Sequence, residues 1–126
     1  MTCDADSTTI FLDQGEYYNA IYLVEIAPPE TGVKAPLDLT GYTVEFQARA
    51  TLASLTTVVT LTNGSGVTLL DQTTDTGKVR IEMVTATTSG VAPGTYLYDC
   101  YAIAPGGYRR KVKAGKLVIA QPVNTP

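Results

Sequence analysis

The chain has 126 residues, 44% of them hydrophobic and 17% charged, with a net charge of −3 and no histidine. That length fits one domain with a single core, and the composition is neither that of a disordered chain nor that of a coiled coil. Without histidine there is no Ser-His-Asp or Cys-His catalytic centre and no His-ligated zinc, and an acidic pI of about 4.7 argues against a nucleic-acid binder.

The amino terminus, Met1 to Asp6, is acidic and leads into no apolar run, so no secretory signal is expected. No stretch reaches the ~20 apolar residues of a membrane span. Residues 1–7 are expected to form a tail, as are residues 122–126. Cys3 and Cys100 are far apart, and free thiols are the favoured expectation, with Cys100 buried as a small apolar side chain. Cys3 is a candidate for a disulfide or an intermolecular bridge.

Thr, Val and Tyr are frequent and lose little on a pleated surface, so short strands are expected throughout. The first runs from Thr8 to Leu12 and the second from Tyr18 to Ile26, where Pro28-Pro29 stops the ladder. Residues 28–41 are predicted to be loop. Tyr42 to Ala50 alternates Val44, Phe46 and Ala48 with Glu45, Gln47 and Arg49, the period of a half-buried strand. Thr56 to Leu61 enters Asn63-Gly64, a turn pair that predicts a tight hairpin back into Val67 to Leu70.

After Gly77, Val79, Ile81 and Met83 point one way and Lys78, Arg80 and Glu82 the other. Ala86 to Val91 is the one candidate helix. Thr95 to Ala104 sets Tyr96, Tyr98 and Cys100 against Leu97, Asp99, Tyr101 and Ile103, and a last strand or pair of strands spans Tyr108 to Ala120. Seven or eight antiparallel strands with turn-rich links predict an all-β sandwich over 1–126, with a partly closed barrel as the alternative.

Candidate sites follow from charge and aromatics. Residues 1–48 carry eight acids against Lys34, a net of −7, while the remainder carries four acids and eight cations, a net of +4. Five of the nine cations cluster at Arg109, Arg110, Lys111, Lys113 and Lys116, and on a regular strand Arg109, Lys111 and Lys113 share one face. They are expected either to guard a solvated sheet edge or to dock an acidic partner, such as the acid-rich half of another copy. Asp99, mid-strand among aromatics, is expected to pair with a cation on a neighbouring strand or to meet another chain, with Tyr101 beside it. Asp4-x-Asp6 and the Asp71 to Asp75 turn have too few ligands for a calcium loop. No metal, cofactor or catalytic residue is expected. The eight tyrosines either fill the core or form a sugar-stacking platform.

Four stretches carry a resemblance: Asp38-Leu39-Thr40-Gly41-Tyr42, Gly77-Lys78-Val79-Arg80-Ile81, Pro93-Gly94-Thr95-Tyr96-Leu97-Tyr98-Asp99 and Gly115-Lys116-Leu117-Val118-Ile119. Together, over about residues 10–123, they resemble the small immunoglobulin-like modules of tailed-bacteriophage proteins, in particular the amino-terminal domain of phage baseplate upper proteins. The resemblance implies an immunoglobulin-like sandwich and a non-enzymatic virion building block, assembled in the host cytoplasm in several copies as a baseplate, tail-fibre, collar, adaptor or capsid-decoration element. Its expected partners are copies of itself and other virion proteins, and no catalytic residues carry over. A carbohydrate-binding sandwich that attaches to host-surface glycans is the alternative. Gly94-Thr95-Tyr96 and Tyr98-x-Cys100 also resemble the tyrosine corner of antibody-type domains, although the first core cysteine and tryptophan are missing.

Overall fold

The structure, a computed structural model, describes residues 9–27, 32–51, 53, 54 and 56–123. The expected Pro28-Pro29 stop, the start of the first strand at Thr8, and Cys3 lie outside these residues. The strands are β1 (Ile10–Asp13), β2 (Tyr18–Leu23), β3 (Glu25–Ile26), β4 (Ala35–Pro36), β5 (Thr43–Arg49), β6 (Val59–Asn63), β7 (Gly66–Leu69), β8 (Lys78–Met83), β9 (Gly94–Ile103) and β10 (Arg109–Ala120). One short helix, α1 (Thr85–Ser89), sits between β8 and β9. Eight strands follow each other in the order β1-β10-β9-β5-β6-β7-β8-β2, and β3 pairs with β4 alone. The all-β class is as the sequence predicts.

The ladder folds into two layers, β1-β10-β9-β5-β6 facing β7-β8-β2. The β6–β7 link joins them, so the sandwich is also nearly a closed barrel. Alternation places the core: Val44, Phe46 and Ala48 of β5 and Tyr96, Tyr98, Cys100 and Ala102 of β9 face Val79, Ile81 and Met83 of β8. The rings of Phe46 and Tyr98 stack 5.0 Å apart at 18°.

Several pairings differ from expectation. β1 joins β10 in parallel, Ile10 beside Leu117 and Asp13 beside Ala120, so the sheet is not wholly antiparallel. The expected tight turn at Asn63-Gly64 forms, with Thr62 and Ser65 bridged antiparallel by two backbone hydrogen bonds, but the next strand does not fold back along β6: β6 and β7 share only Thr62 with Gly66 and Asn63 with Val67, in parallel register. Within that turn the Asn63 side chain accepts from Val44 N–H and donates to the Tyr42 carbonyl. Gly66, at φ +92°, permits the crossing, since a Cβ there would lie 2.6 Å from Leu61 and 3.0 Å from the Glu82 carbonyl oxygen.

The expected strand from Tyr18 to Ile26 divides at Val24. Its N–H donates to the Gly77 carbonyl and its own carbonyl accepts from Leu37 N–H, which turns the chain out of the β8 ladder and into the β3–β4 pair. The loop predicted over 28–41 therefore contains β4. Within the Asp38 to Tyr42 stretch, the Asp38 carboxylate accepts from Thr40 N–H at 2.9 Å and Thr40 Oγ1 at 2.6 Å, which holds its carboxyl below the ordinary range. That turn sinks Leu39 fully into the core.

The tyrosine corner is made by Tyr96 rather than Tyr98. Tyr96 Oη donates to the Ala92 carbonyl at 2.5 Å, tying the β8–β9 crossover to β9. Tyr98 points into the core instead. Below the same crossover, the buried Thr88 of α1 donates to the Glu16 carbonyl at 2.8 Å, and Gln14 Nε2 donates to the Val91 carbonyl at 3.0 Å. These bonds fasten the β1–β2 turn to the end of α1.

Candidate assembly surface

β10 carries the basic cluster, and its backbone decides where each cation points. Opposite β9, Arg109 meets Ile103, Arg110 meets Ala102 and Lys111 meets Tyr101; the register then slips, and Lys113 meets Cys100. Val112 is the extra residue of a bulge. The bulge overturns the expectation that Arg109, Lys111 and Lys113 share a face. Arg109 and Lys111 lie over the outer face of the Tyr101 ring, at 4.5 and 5.9 Å from its centroid, whereas Lys113 turns inward, its Nζ 4.9 Å from the Tyr22 ring centroid. Arg110 shares the inward side with Lys113, because their β9 partners Ala102 and Cys100 both face the core.

Two concave regions result. On the outer face, a groove of about 280 Å³ gathers Gln47, Arg49, Asp99, Tyr101 and Arg109. Asp99 lies beside Gln47 of β5 and Ala114 of β10, half-buried. Contrary to the expected cross-strand ion pair, no cation of the described residues comes within 4 Å of it. Arg49 is occupied elsewhere, donating to the Ser54 carbonyl at 2.6 Å and to Gln47 Oε1 at 3.3 Å. Lys116, opposite Leu97, is exposed farther along the same outer face.

The second region is a cleft of about 390 Å³ between β10 and the β2–β3 segment, lined by Tyr22, Glu25, Lys34, Arg110, Lys111 and Lys113 among others. Sequence patterning does not single out Tyr22, Glu25 or Lys34 for this surface, because only tertiary folding brings them to β10. The one signal is the solitary Lys34 in an otherwise acidic half.

The tyrosines do not collect into a platform. Tyr22, Tyr96 and Tyr98 are buried, Tyr18 Oη and Tyr22 Oη lie 2.9 Å apart, and Tyr17 is hydrogen-bonded to Glu82. Tyr101 has its outer face covered by Arg109, and Tyr108 is exposed on the β9–β10 turn. Burial raises the hydroxyls of Tyr22 and Tyr98 above their ordinary range. The same cause pushes the Cys100 thiol up to about 12, so the inter-sheet cysteine is a protonated, apolar packing group.

Among the described residues, no three of His, Cys, Asp and Glu gather as metal ligands, and no helix is long and apolar enough to cross a membrane. Asp71 and Asp75 stay in their turn, the first accepting from Thr73 N–H and the second pairing with Lys78 at 3.5 Å. A scan against protein-family models and a search of the curated proteins find no match to this chain.

Proposed function

We propose that this chain is a non-enzymatic structural protein of a tailed-bacteriophage virion, assembling in several copies as an adaptor, collar, baseplate, tail-fibre or capsid-decoration element. The observation that carries the proposal is the basic half of β10. Four cations line a cleft and a strand edge that no other described strand covers, with a single carboxylate, Glu25, among them. Cationic edges usually prevent pairing with other chains. Here the edge is concave and faces an apolar and aromatic wall, which favours a partner of opposite charge over bulk water. The acid-rich first half of the chain supplies that charge on every copy, so the partners are further copies and other virion proteins.

The resemblance of residues 10–123 to tailed-phage immunoglobulin-like modules supplies the setting. Glycan binding has less support, because the exposed tyrosines are dispersed and the one above a groove is capped by Arg109. Gradient-purified particles of the phage whose genome encodes the chain provide the test, by quantitative mass spectrometry. Recovery of the chain in a fixed multiple of copies per particle is expected; its recovery only from the unassembled lysate fraction would contradict the proposal.

A further inference from the structure

The outer face of β2 and β8 gathers exposed apolar side chains. Asn19, Ile21 and Leu23 stand opposite Glu82, Arg80 and Lys78 in the ladder, on the side away from the core that Tyr22, Val79, Ile81 and Met83 enter. Tyr17 and Val84 continue the two rows by one step, Tyr17 through its hydrogen bond to Glu82 and Val84 through its extended backbone. Tyr17, Ile21, Leu23 and Val84 are 46–52% exposed, and they are four of the nine large apolar side chains exposed among the described residues. Scattered apolar side chains on a surface need no explanation, but four on one two-stranded face mark an interaction surface.

The charges of this face are incompletely matched. Lys78 pairs with Asp75, whereas Arg80 has no ion pair with a described residue and its buried Nε has no hydrogen-bond partner. Glu82 accepts from Tyr17 and meets no cation of the described residues. A cation and a carboxylate that both lack an ionic partner therefore flank Ile81, at equal distances along β8. The apolar groups follow the same arrangement. Leu23 and Tyr17 lie three residues either side of Ala20, Lys78 and Val84 lie three either side of Ile81, and Ala20 is paired with Ile81 in the ladder.

A two-fold axis in the plane of contact, crossing the strands at Ala20–Ile81, makes this face its own complement. It sets Arg80 against Glu82 of a second copy, Leu23 against the Tyr17 ring and the Lys78 stem against Val84, with each contact made twice. An unrelated partner would not call for that symmetry. We propose that the outer face of β2 and β8 packs two copies of this chain face to face about such an axis, through reciprocal Arg80–Glu82 pairs and the apolar groups around them. The contact does not involve the basic half of β10 or a particle, so it stands or falls apart from the assembly reading above. Two short strands offer a small face beside a standard interface, so a dissociation constant on the order of 0.1–1 mM is expected. Such a contact is silent in dilute solution and fills at the local concentration of an assembly.

Sedimentation equilibrium up to millimolar concentration reads the contact, with Arg110→Ala and Lys113→Ala in every chain so that β10 contributes nothing. Dimerisation is expected, weakened at least about tenfold by Arg80→Glu and likewise by Glu82→Arg, since each change sets like charges opposite one another twice. An equimolar mixture of these two variants regains both ion pairs and should form a heterodimer. The double exchange, Arg80→Glu with Glu82→Arg, should regain self-association. A single-chain mass for the parent at millimolar concentration would overturn the inference, as would self-association that the single exchanges leave unchanged. Failure of the mixture and the double exchange to restore the dimer, in chains whose near-ultraviolet circular dichroism matches the parent, would overturn it as well.

Discussion

The two halves of β10 belong to one strand and meet opposite fates. From Leu117 to Ala120 it is an interior strand, flanked by β9 and the parallel β1, with Leu117 and Ile119 buried. From Arg109 to Lys113 it has only β9 beside it among the described residues, is bulged at Val112 and is almost wholly cationic. The contrast separates a half that the core needs from one that it does not: the apolar half seals the sandwich, and the basic half has no second strand partner among the described residues.

Substitutions in the sealed half should cost most. Leu117→Ala removes a fully buried side chain and is expected to lower unfolding free energy by about 2–5 kcal/mol, read from the denaturant midpoint at constant m. A change below about 1 kcal/mol would mean that this half is not the packed seam described. Next come the crossover ties. Thr88→Val leaves the Glu16 carbonyl without its buried donor and should cost about 1–3 kcal/mol, with Tyr96→Phe costing about 0.5–1.5 kcal/mol through loss of the bond to Ala92. Equal stability for Tyr96→Phe and wild type would remove the corner from the account. In the open half, Arg110→Ala should change stability by no more than about 0.5 kcal/mol and Lys113→Ala by about 0.5–1 kcal/mol through the lost contact with the Tyr22 ring, because neither side chain holds an ion pair among the described residues. A large loss there would make the basic half structural.

Alkaline pH sharpens the comparison through the core behind both halves. Cys100 titrates near 9.0 in the unfolded chain and near 12 when buried, so above pH 9 the unfolded state gives up its proton first. The folded state then binds more protons, and stability falls as pH rises from about 9 through 12. Tyr22 and Tyr98, also raised by burial, act in the same direction. Chemical denaturation of Cys100→Ala across this range should show a shallower decline than wild type. An identical decline would assign the effect to the tyrosines.

The sealed half and the strands behind it were legible in the sequence because burial there follows the period of two: Val44, Phe46 and Ala48, or Val79, Ile81 and Met83, announce their face locally. The open half was legible only as a cluster. Whether Lys113 points with Lys111 or against it is settled by the bulge at Val112, a property of β10 against β9 that no local pattern contains. The parallel partnership of β1 and β10 joins segments a chain-length apart. Likewise, the Asn63-Gly64 pair carries a correct turn signal, but the close approach of Gly66 to Leu61 and Glu82 sends the next strand to the other layer. The β2–β3 wall of the cleft escaped for the same reason, since Val24 leaves the ladder only to bond with Gly77 and Leu37.

Light-scattering mass of the purified chain at low and high salt, for wild type and for the Arg110→Ala, Lys113→Ala double variant, tests most directly whether the basic half of β10 is an assembly surface. A multi-chain mass at low salt that falls to that of one chain at high salt, and that the double variant never reaches, is the predicted result. A single-chain mass for wild type under every condition, or a multimer untouched by the two substitutions, would contradict it.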